Sequence, residues 1–564
     1  MSKFNDKYFI KDMGFDFFYR NESLNLNQLK GKLEDLEIYG GRINYKKNKG
    51  DHVIQGEIKS RINSSGEKSK KLFSLAGIEV NNFLNTSIIG SASGSFDLRL
   101  GRTLLAKKIN IMIQSSLSSL KIDLKEKINN QFLKKNIEKI HAKDSNISFQ
   151  YDDKKTDISL STWIKIDEEF FNLTHDKKDK NSKFNINFKK ENLIRLPLIN
   201  YSYESNTNLS SLSGEYFVDK KNNFFIKKIK FTDGEDLFEI KNLKINKKYE
   251  LLDFGEIVVI TKLNDTFNNH FIVSNKNKIE IKGTKFDAKL LAKELSNSSK
   301  KNFLKNISKD IEIDFDQVLT DTEFPLNKFR LIGTIKKGKF EKISGKSEFS
   351  DSKYMDISIK REKDSNFKIL EIHSDIARPV INSYKFFDGL NKGNLVYESR
   401  FDDKTSTAML TVSNFQLIKA PAFAKLLTLA DLQGLTDTLK GEGISFDTLV
   451  IKYTTDPKTM EIQEIFMIGP SISILIEGYV EKESGLVSLR GTLIPAKTLN
   501  TLLSKIPLVG HVLIGKKDGE GLFGVSFKIK GLPNQLKTTV NPVKSLTPRF
   551  ITRALEAIKK QKAK

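Results

Sequence analysis

Apolar and polar residues alternate along most of this chain. Phe96, Leu98 and Leu100 are interleaved with Ser95, Asp97 and Arg99; Ile109, Ile111 and Ile113 follow, then Leu120, Ile122 and Leu124. The same beat returns in Ile147, Phe149 and Tyr151, in Phe184, Ile186 and Phe188, in Ile279 and Ile281, in Ile311, Ile313 and Phe315, and in Ile357 and Ile359. Successive side chains of a strand point to opposite faces, so from about residue 40 to 410 the pattern predicts strands with one oily and one wet face. Polar turns such as KKNKGD, DGED and KKNN separate them and make neighbouring strands antiparallel. Amphipathic helices that would cover the oily faces are few, the clearest being predicted around Asn129 to Ile140 and Phe286 to Leu295.

A sheet of this length must curl, split or pair with a second sheet to hide its apolar side. Two architectures satisfy that demand. One is a row of β-sandwiches; the other is a long curled antiparallel β-sheet whose inner face remains an apolar groove, a surface suited to acyl chains. The periodicity leaves both open. In the groove reading Phe96, Leu98, Ile111, Ile122, Phe149, Phe188, Ile281 and Phe315 point inward, although a slip of one residue turns any of them outward.

Prolines mark a change of regime. Eight of the eleven lie at or beyond Pro421 and none precedes Pro197. Proline cannot donate to a ladder, so the proline-poor part suits long hydrogen-bonded strands and the C-terminal part is a differently built module. That module opens on an apolar helical run in which Phe423, Leu426, Leu427 and Ala430 share one face while Leu432, Leu435 and Leu439 fall nearly opposite. Pro421 suits a first helical turn, and Gly441 and Gly443 end the run. Strands are predicted at 471–480, 485–494 and 521–529, a helix at 496–506 and an apolar turn at 507–514. The helical pair and the segment TLLSKIPLVGHVLIG are expected to cap the end of the sheet, the second helical face meeting Leu499, Leu502, Leu503 and Ile506. Leu508, Val509, Val512 and Leu513 form an apolar knuckle beside Lys516 and Lys517, suited either to core or to membrane contact.

Composition narrows the chemistry. Of the 564 residues, 94 are Lys or Arg and 70 Asp or Glu, a net charge of +24, yet the lysines are spread evenly and travel with Asn, Ile and Phe. That dispersal argues against a nucleic-acid surface, leaving the basic tail RFITRALEAIKKQKAK as a candidate contact with anionic head groups. Without cysteine, disulfides and thiolate chemistry are excluded, and the six histidines stand singly, with no metal-ligand spacing. GTIKKGKF at 333–340 approaches a phosphate loop, but Phe340 stands where Ser or Thr must hold magnesium, so it reads as a turn. No GxSxG or HExxH occurs, and the expectation is a non-enzymatic protein with no cofactor and no metal. No apolar run approaches the roughly 18 residues that a membrane span needs.

The succession FQLIKAPAFAKLLTLADLQGLTDTLKGEGISFDTL, GPSISILIEGYV, GTLIPAKTLNTLLSKIPLVGHVLIGKKDGEGLFGVSFKIKG and VNPVKSLTPRF closely resembles the C-terminal domain of AsmA-like envelope proteins, especially the YhdP-like branch of the AsmA/TamB family. Order, spacing and glycine and proline placement match from about Phe415 to Phe550, and a weaker likeness reaches back through HSDIARPVINSYKFFDGLNKGNLVYESRF to KGTKFDAKLLAKEL. The resemblance implies a β-groove protein of the Gram-negative periplasm, anchored to the inner membrane, that carries phospholipid toward the outer membrane without catalysis. Its implied partners are phospholipid acyl chains, the membrane surface and other envelope proteins. On that basis residues 1–282 are expected to form the groove, 283–548 the AsmA-like C-terminal region with capping helices near 421–440 and 496–514, and 549–564 a basic tail. At about 12 residues per strand and turn, some 30 strands are expected before Pro421. The chain departs from the family in lacking an N-terminal anchoring helix and in its short length, and is read as a C-terminal portion. Two rival functions remain: a structural or regulatory envelope scaffold whose strands pack dry and carry no lipid, and a peripheral membrane-binding module.

Overall fold

The computed structural model describes residues 10–543 except 76–77, 129–135, 154, 167–168, 189–198, 200, 202–209, 220, 248–249, 291–305, 350–351, 382–388, 431, 496–523 and 533–534. Among the described residues the chain is mainly β: thirty strands in a long mixed sheet that does not close into a barrel, with a few short helices. It divides into two compact units at Asn275/Lys276.

The first unit holds β1 (Lys11–Arg20), β2 (Ser23–Leu33), β3 (Leu36–Asn48), β4 (Asp51–Ser65), β5 (Phe83–Leu100), β6 (Ala106–Ile128), β7 (Ile137–Asp152), β8 (Lys155–Ile166), β9 (Glu169–Lys178), β10 (Asn181–Phe188), β11 (Ser210–Val218), β12 (Phe224–Asp233), β13 (Asp236–Ile245), β14 (Leu251–Asp253), β15 (Glu256–Leu263) and β16 (Thr266–Asn275). Each strand pairs antiparallel with the next, except that the short β14 sits beside β13 while β15 pairs with β13 directly. Tight turns make this meander possible. Asn21–Glu22, Lys49–Gly50 and Asn264–Asp265 have positive φ at both central residues, the backbone that matches the right-handed twist of the flanking strands. One helix, α1 (Gly66–Leu75), packs back on β4 and β5 through Phe73, whose ring meets Phe83 edge-on at 5.9 Å.

The second unit holds β17 (Ile279–Asp287), β18 (Lys309–Leu319), β19 (Leu326–Lys336), β20 (Lys339–Glu348), β21 (Tyr354–Arg361), β22 (Lys368–Ser374), β23 (Leu390–Phe401), β24 (Ser406–Leu417), β25 (Ile444–Thr455), β26 (Thr459–Ile468), β27 (Ile472–Glu481), β28 (Val487–Pro495), β29 (Gly524–Gly531) and β30 (Lys537–Val543). β17 and β18 run parallel, which makes the sheet mixed rather than purely antiparallel; every later pair is antiparallel and sequential. Helices α2 (Arg378–Ile381), α3 (Pro421–Leu429) and α4 (Gln433–Lys440) accompany these strands.

Several sequence expectations need correction. Strands begin at Lys11 rather than near residue 40, because Phe15, Phe17 and Tyr19 already alternate. The helix expected over Asn129 to Ile140 is displaced by β7, which starts at Ile137 and pairs Ile140 with Ile122; residues 129–135 lie outside the described part. Phe286 and Asp287, expected to begin a helix, end β17. Before Pro421 there are twenty-four strands among the described residues rather than some thirty, since β5 and β6 run to 18 and 23 residues. Residues 333–340 are the β19–β20 hairpin, turning on Lys337–Gly338.

Candidate functional site

Strand register places side chains of neighbouring strands on the same face, so the chemistry of each face follows from pairing alone. In the first unit Leu26, Ile43, Gly56, Phe96, Ile111 and Tyr151 stand side by side from β2 to β7. A second row runs through Ile147, Leu160, His175, Phe184, Gly214, Ile229, Ile240, Ile257 and Val273, from β7 to β16. In the second unit Ile281, Ile313, Leu331, Gly345, Ile357, Ile372, Tyr397, Leu410, Ile451, Ile465, Ile476, Gly491, Phe527 and Val540 do the same across fourteen strands. None of these rows contains Lys, Arg, Asp or Glu.

Charge occupies the other face. Arg42 meets Glu57 at 3.0 Å, Arg61 donates twice to Glu37, Lys228 meets Glu239 at 2.8 Å and Arg490 meets Glu477 at 2.7 Å. The Arg61 guanidinium holds the Glu37 carboxyl below its usual range. Apart from the pair of the buried Glu239, these are exposed pairs that add little stability individually but keep the outer face hydrated. One carboxyl departs in the opposite direction: Asp236, at the β12–β13 turn, is pushed up from an ordinary 3.8 to about 6 by burial, against a hydrogen bond from the Lys262 backbone N–H and with help from nearby Asp233.

Three devices keep the apolar face continuous. Bulges restore its phase: Ser118 is skipped in the β5–β6 ladder and Asp144 adopts positive φ in β7, so Ile122 returns to the face of Ile111 despite its opposite parity. Glycines admit aromatic rings. A Cβ on Gly56 would lie 2.5 Å from the Phe96 ring, on Gly214 2.4 Å from Phe184 and on Gly491 2.4 Å from Phe527; in each case glycine and ring are cross-strand partners. Hydroxyls replace charges where polarity is needed: Ser145 and Thr162 bond each other at 2.6 Å while buried, and Ser69 of α1 pairs with Thr86.

The predicted groove residues fall accordingly. Phe96, Leu98, Ile111, Ile122 and Phe149 share the apolar face of the first unit. Phe188 is in backbone register with Ser210, and its side chain lies outside the described part. Ile281 and Phe315 share the apolar face of the second unit. Between Leu160 and Phe271 sequence reading named only the alternation from Phe184 to Phe188 and missed Phe171, Phe231, Val259 and Phe271, which are buried on this face; the signal was present as short alternations broken by bulges.

Exposure separates two parts of these faces. Around Phe96, Ile111 and Phe149 the side chains are half-buried and Ile113 is 37% exposed, whereas Leu117, Ile122 and Ala142 further along β6 and β7 are buried. Between β23 and β28 the face is sealed: Leu395, Val412, Leu449, Met467, Ile474 and Leu493 form one row with at most 1% exposure each. The cover is α3 and α4. Phe423, Leu426 and Leu427 point into the core, Phe423 edge-on to Phe446, which stacks on Phe415 at 5.2 Å. Leu439 is fully buried in the same cluster, with Leu432 and Leu435 packed against it. The second apolar face was expected to meet a separate partner. Among the described residues α4 folds back on α3 and both faces converge on one core, while the segment expected as that partner lies outside the described part. Leu499, Leu502, Leu503, Ile506, the knuckle Leu508, Val509, Val512 and Leu513, and the basic tail lie outside the described residues. Ile472 to Ile476 are buried at five consecutive positions, so both faces of β27 are covered.

Among the described residues no group of His, Asp and Glu is placed to hold a metal, and no helix is long and apolar enough to cross a membrane. Compared with known proteins, no family model matches the chain and no curated protein matches it significantly.

Proposed function

We propose that this chain is an AsmA-like, YhdP-like protein of a Gram-negative periplasm that passes phospholipids along its apolar face between inner and outer membrane, without catalysis. The observation that carries the reading is the charge-free row, maintained across strand after strand by bulges, glycines and hydroxyls, while every ion pair cited above lies on the other face. Acyl chains need an apolar track without directional partners, and head groups remain in water beside it. The half-exposed stretch around Ile111 and Phe149 is where chains would lie, with no side chain to be displaced. The sequence resemblance from about Phe415 to Phe550 to the C-terminal domain of that family supports the reading.

A dry scaffold is the second reading, favoured by the sealed face between β23 and β28. Mass spectrometry of lipids extracted from the purified protein separates the two. The transfer reading expects phospholipid, reduced several-fold by Ile111→Asp or Phe149→Asp and unaffected by Glu57→Lys on the polar face; absence of lipid from the native protein, or equal lipid in all variants, overturns it.

A further inference from the structure

One row on the apolar side of the first unit carries a cation. Ile113 of β6, Phe149 of β7 and Ile158 of β8 lead in register to Lys177 of β9, which is followed by Ser182 of β10, Tyr216 of β11 and Ile226 of β12. Lys177 is half-buried and Ser182 is 5% exposed. Asp157, which pairs with Lys178, and Asp176, adjacent to Lys177 on the same strand, stand on the opposite face, and Asp179 lies beyond the strand in the β9–β10 turn. Among the described residues no hydrogen bond or ion pair engages the Lys177 ammonium or the Ser182 hydroxyl. His175 shares their face, and its Nε2 is 3.2 Å from the Tyr216 hydroxyl. A neutral imidazole has one N–H and a phenol one O–H, so whichever donates in that bond, the other stays available. The Tyr216 ring is steadied by Phe184 and Phe224, with centroids at 6.3 and 6.4 Å. Lys177 is one residue from the end of β9 and can extend its ammonium to water, but the Ser182 hydroxyl is enclosed whichever way the lysine points, and an enclosed hydroxyl without a partner is costly.

We infer that Lys177, His175, Ser182 and Tyr216 form a binding site for the phosphodiester group of an acyl lipid. All four offer N–H or O–H groups and none is an acid, so the ligand they suit is an anion rich in acceptors. One ammonium matches the single negative charge of a phosphodiester. The donors come from three adjacent strands about 4.8 Å apart, a spread that suits the several oxygens of a phosphate better than the two of a carboxylate. The row itself supplies the remainder of the ligand: Phe149 and Ile158 on one side and Ile226 on the other are uncharged ground for acyl tails, which a free phosphate would not use. The site lies beside the β9–β10 turn, at the rim of the sheet, where a head group meets water while its tails lie on the apolar face. This inference rests on the lipid reading above and adds to it a fixed point for the head group.

Titration calorimetry of the full-length protein with dihexanoylphosphatidylglycerol, kept below its micelle concentration, reads the site. The native chain should bind it at least about tenfold more tightly than dihexanoylglycerol, which has the tails without the phosphate, and than glycerophosphate, which has the phosphate without the tails. Lys177→Met should abolish the preference over dihexanoylglycerol while leaving the binding of dihexanoylglycerol itself unchanged, Lys177→Arg should retain the preference, and Lys178→Met, on the opposite face, should alter neither. Equal native affinities for the phospholipid and dihexanoylglycerol overturn the site and leave the apolar track standing. Equal losses from Lys177→Met and Lys178→Met reduce the effect to diffuse charge and overturn the site as well. Glycerophosphate bound as tightly as the phospholipid makes the ligand a free phosphate ester and overturns the lipid assignment. If none of these probes binds, the track and the site fall together.

Discussion

The β5–β7 stretch and the β24–β27 stretch are built from the same repeated unit and end in opposite states. Both are antiparallel ladders with apolar residues at alternate positions. In the first, Phe96, Ile111 and Phe149 remain half-buried beside Ile113; in the second, Val412, Leu449 and Met467 are fully buried. The difference is not in the strands. It lies in Phe423, Leu427 and Leu439, which two short helices press onto the second stretch. An alternating strand therefore fixes which face is apolar and leaves open whether that face becomes core or surface.

The largest effect expected from this contrast is on charge insertion. Leu449→Asp should destabilise the second unit by more than about 4 kcal/mol, because an unpaired carboxylate would be enclosed, whereas Ile111→Asp should cost about 1 kcal/mol, its carboxylate reaching water. Denaturant titration followed by hydrogen exchange in β24–β27 and β5–β7 reads both; equal costs would erase the distinction between sealed and open faces. Truncation comes next. Leu427→Ala should cost about 3 kcal/mol through the cavity it leaves, and Ile113→Ala less than about 1 kcal/mol. An Ile113→Ala cost as large as that of Leu427→Ala would place a hidden cover over the first unit.

A smaller effect probes the first unit by pH. Asp236 is protonated more readily in the folded chain, about 6 against 3.8, so folding binds protons between those values and stability falls as pH rises through that window. Asp236→Asn retains an oxygen for the Lys262 N–H and removes the charge, so it should stabilise by about 1 kcal/mol above pH 6, after allowance for solvent screening at a half-exposed site, and by nothing below about pH 4. Thermal unfolding of the two proteins across that range checks the sign. A gain largest at low pH contradicts it.

The smallest signal comes from Trp163, the single tryptophan, which pairs with Lys143 and Asn172 on the polar face. Brominated phospholipid should quench it weakly. Moving the reporter to the apolar face in a Trp163→Phe, Leu160→Trp protein should increase quenching several-fold, and equal quenching would mean that acyl chains do not distinguish the two faces.

The strand content and the polar turns were legible because a two-residue period needs no tertiary information, whereas the choice between paired sheets and one long open sheet was not. The faces of Phe96, Leu98, Ile111 and Phe149 were legible for the same reason, and the helical faces of Phe423, Leu426 and Leu427 follow from a 3.6-residue period. Parity failed at Ser118 and Asp144, where one extra residue reverses every later assignment until a second shift restores it, and bulges depend on the partner strand. The parallel β17–β18 pair was equally hidden, since Ile279 and Ile311 alternate identically in either direction. What the chain by itself determined is therefore the separation of oily from charged faces. Whether Leu435 and Leu439 turn inward beside Leu427 or outward to a partner, and whether Leu449 is closed, was decided only by where α3 and α4 fold back, because burial depends on covering groups distant in sequence.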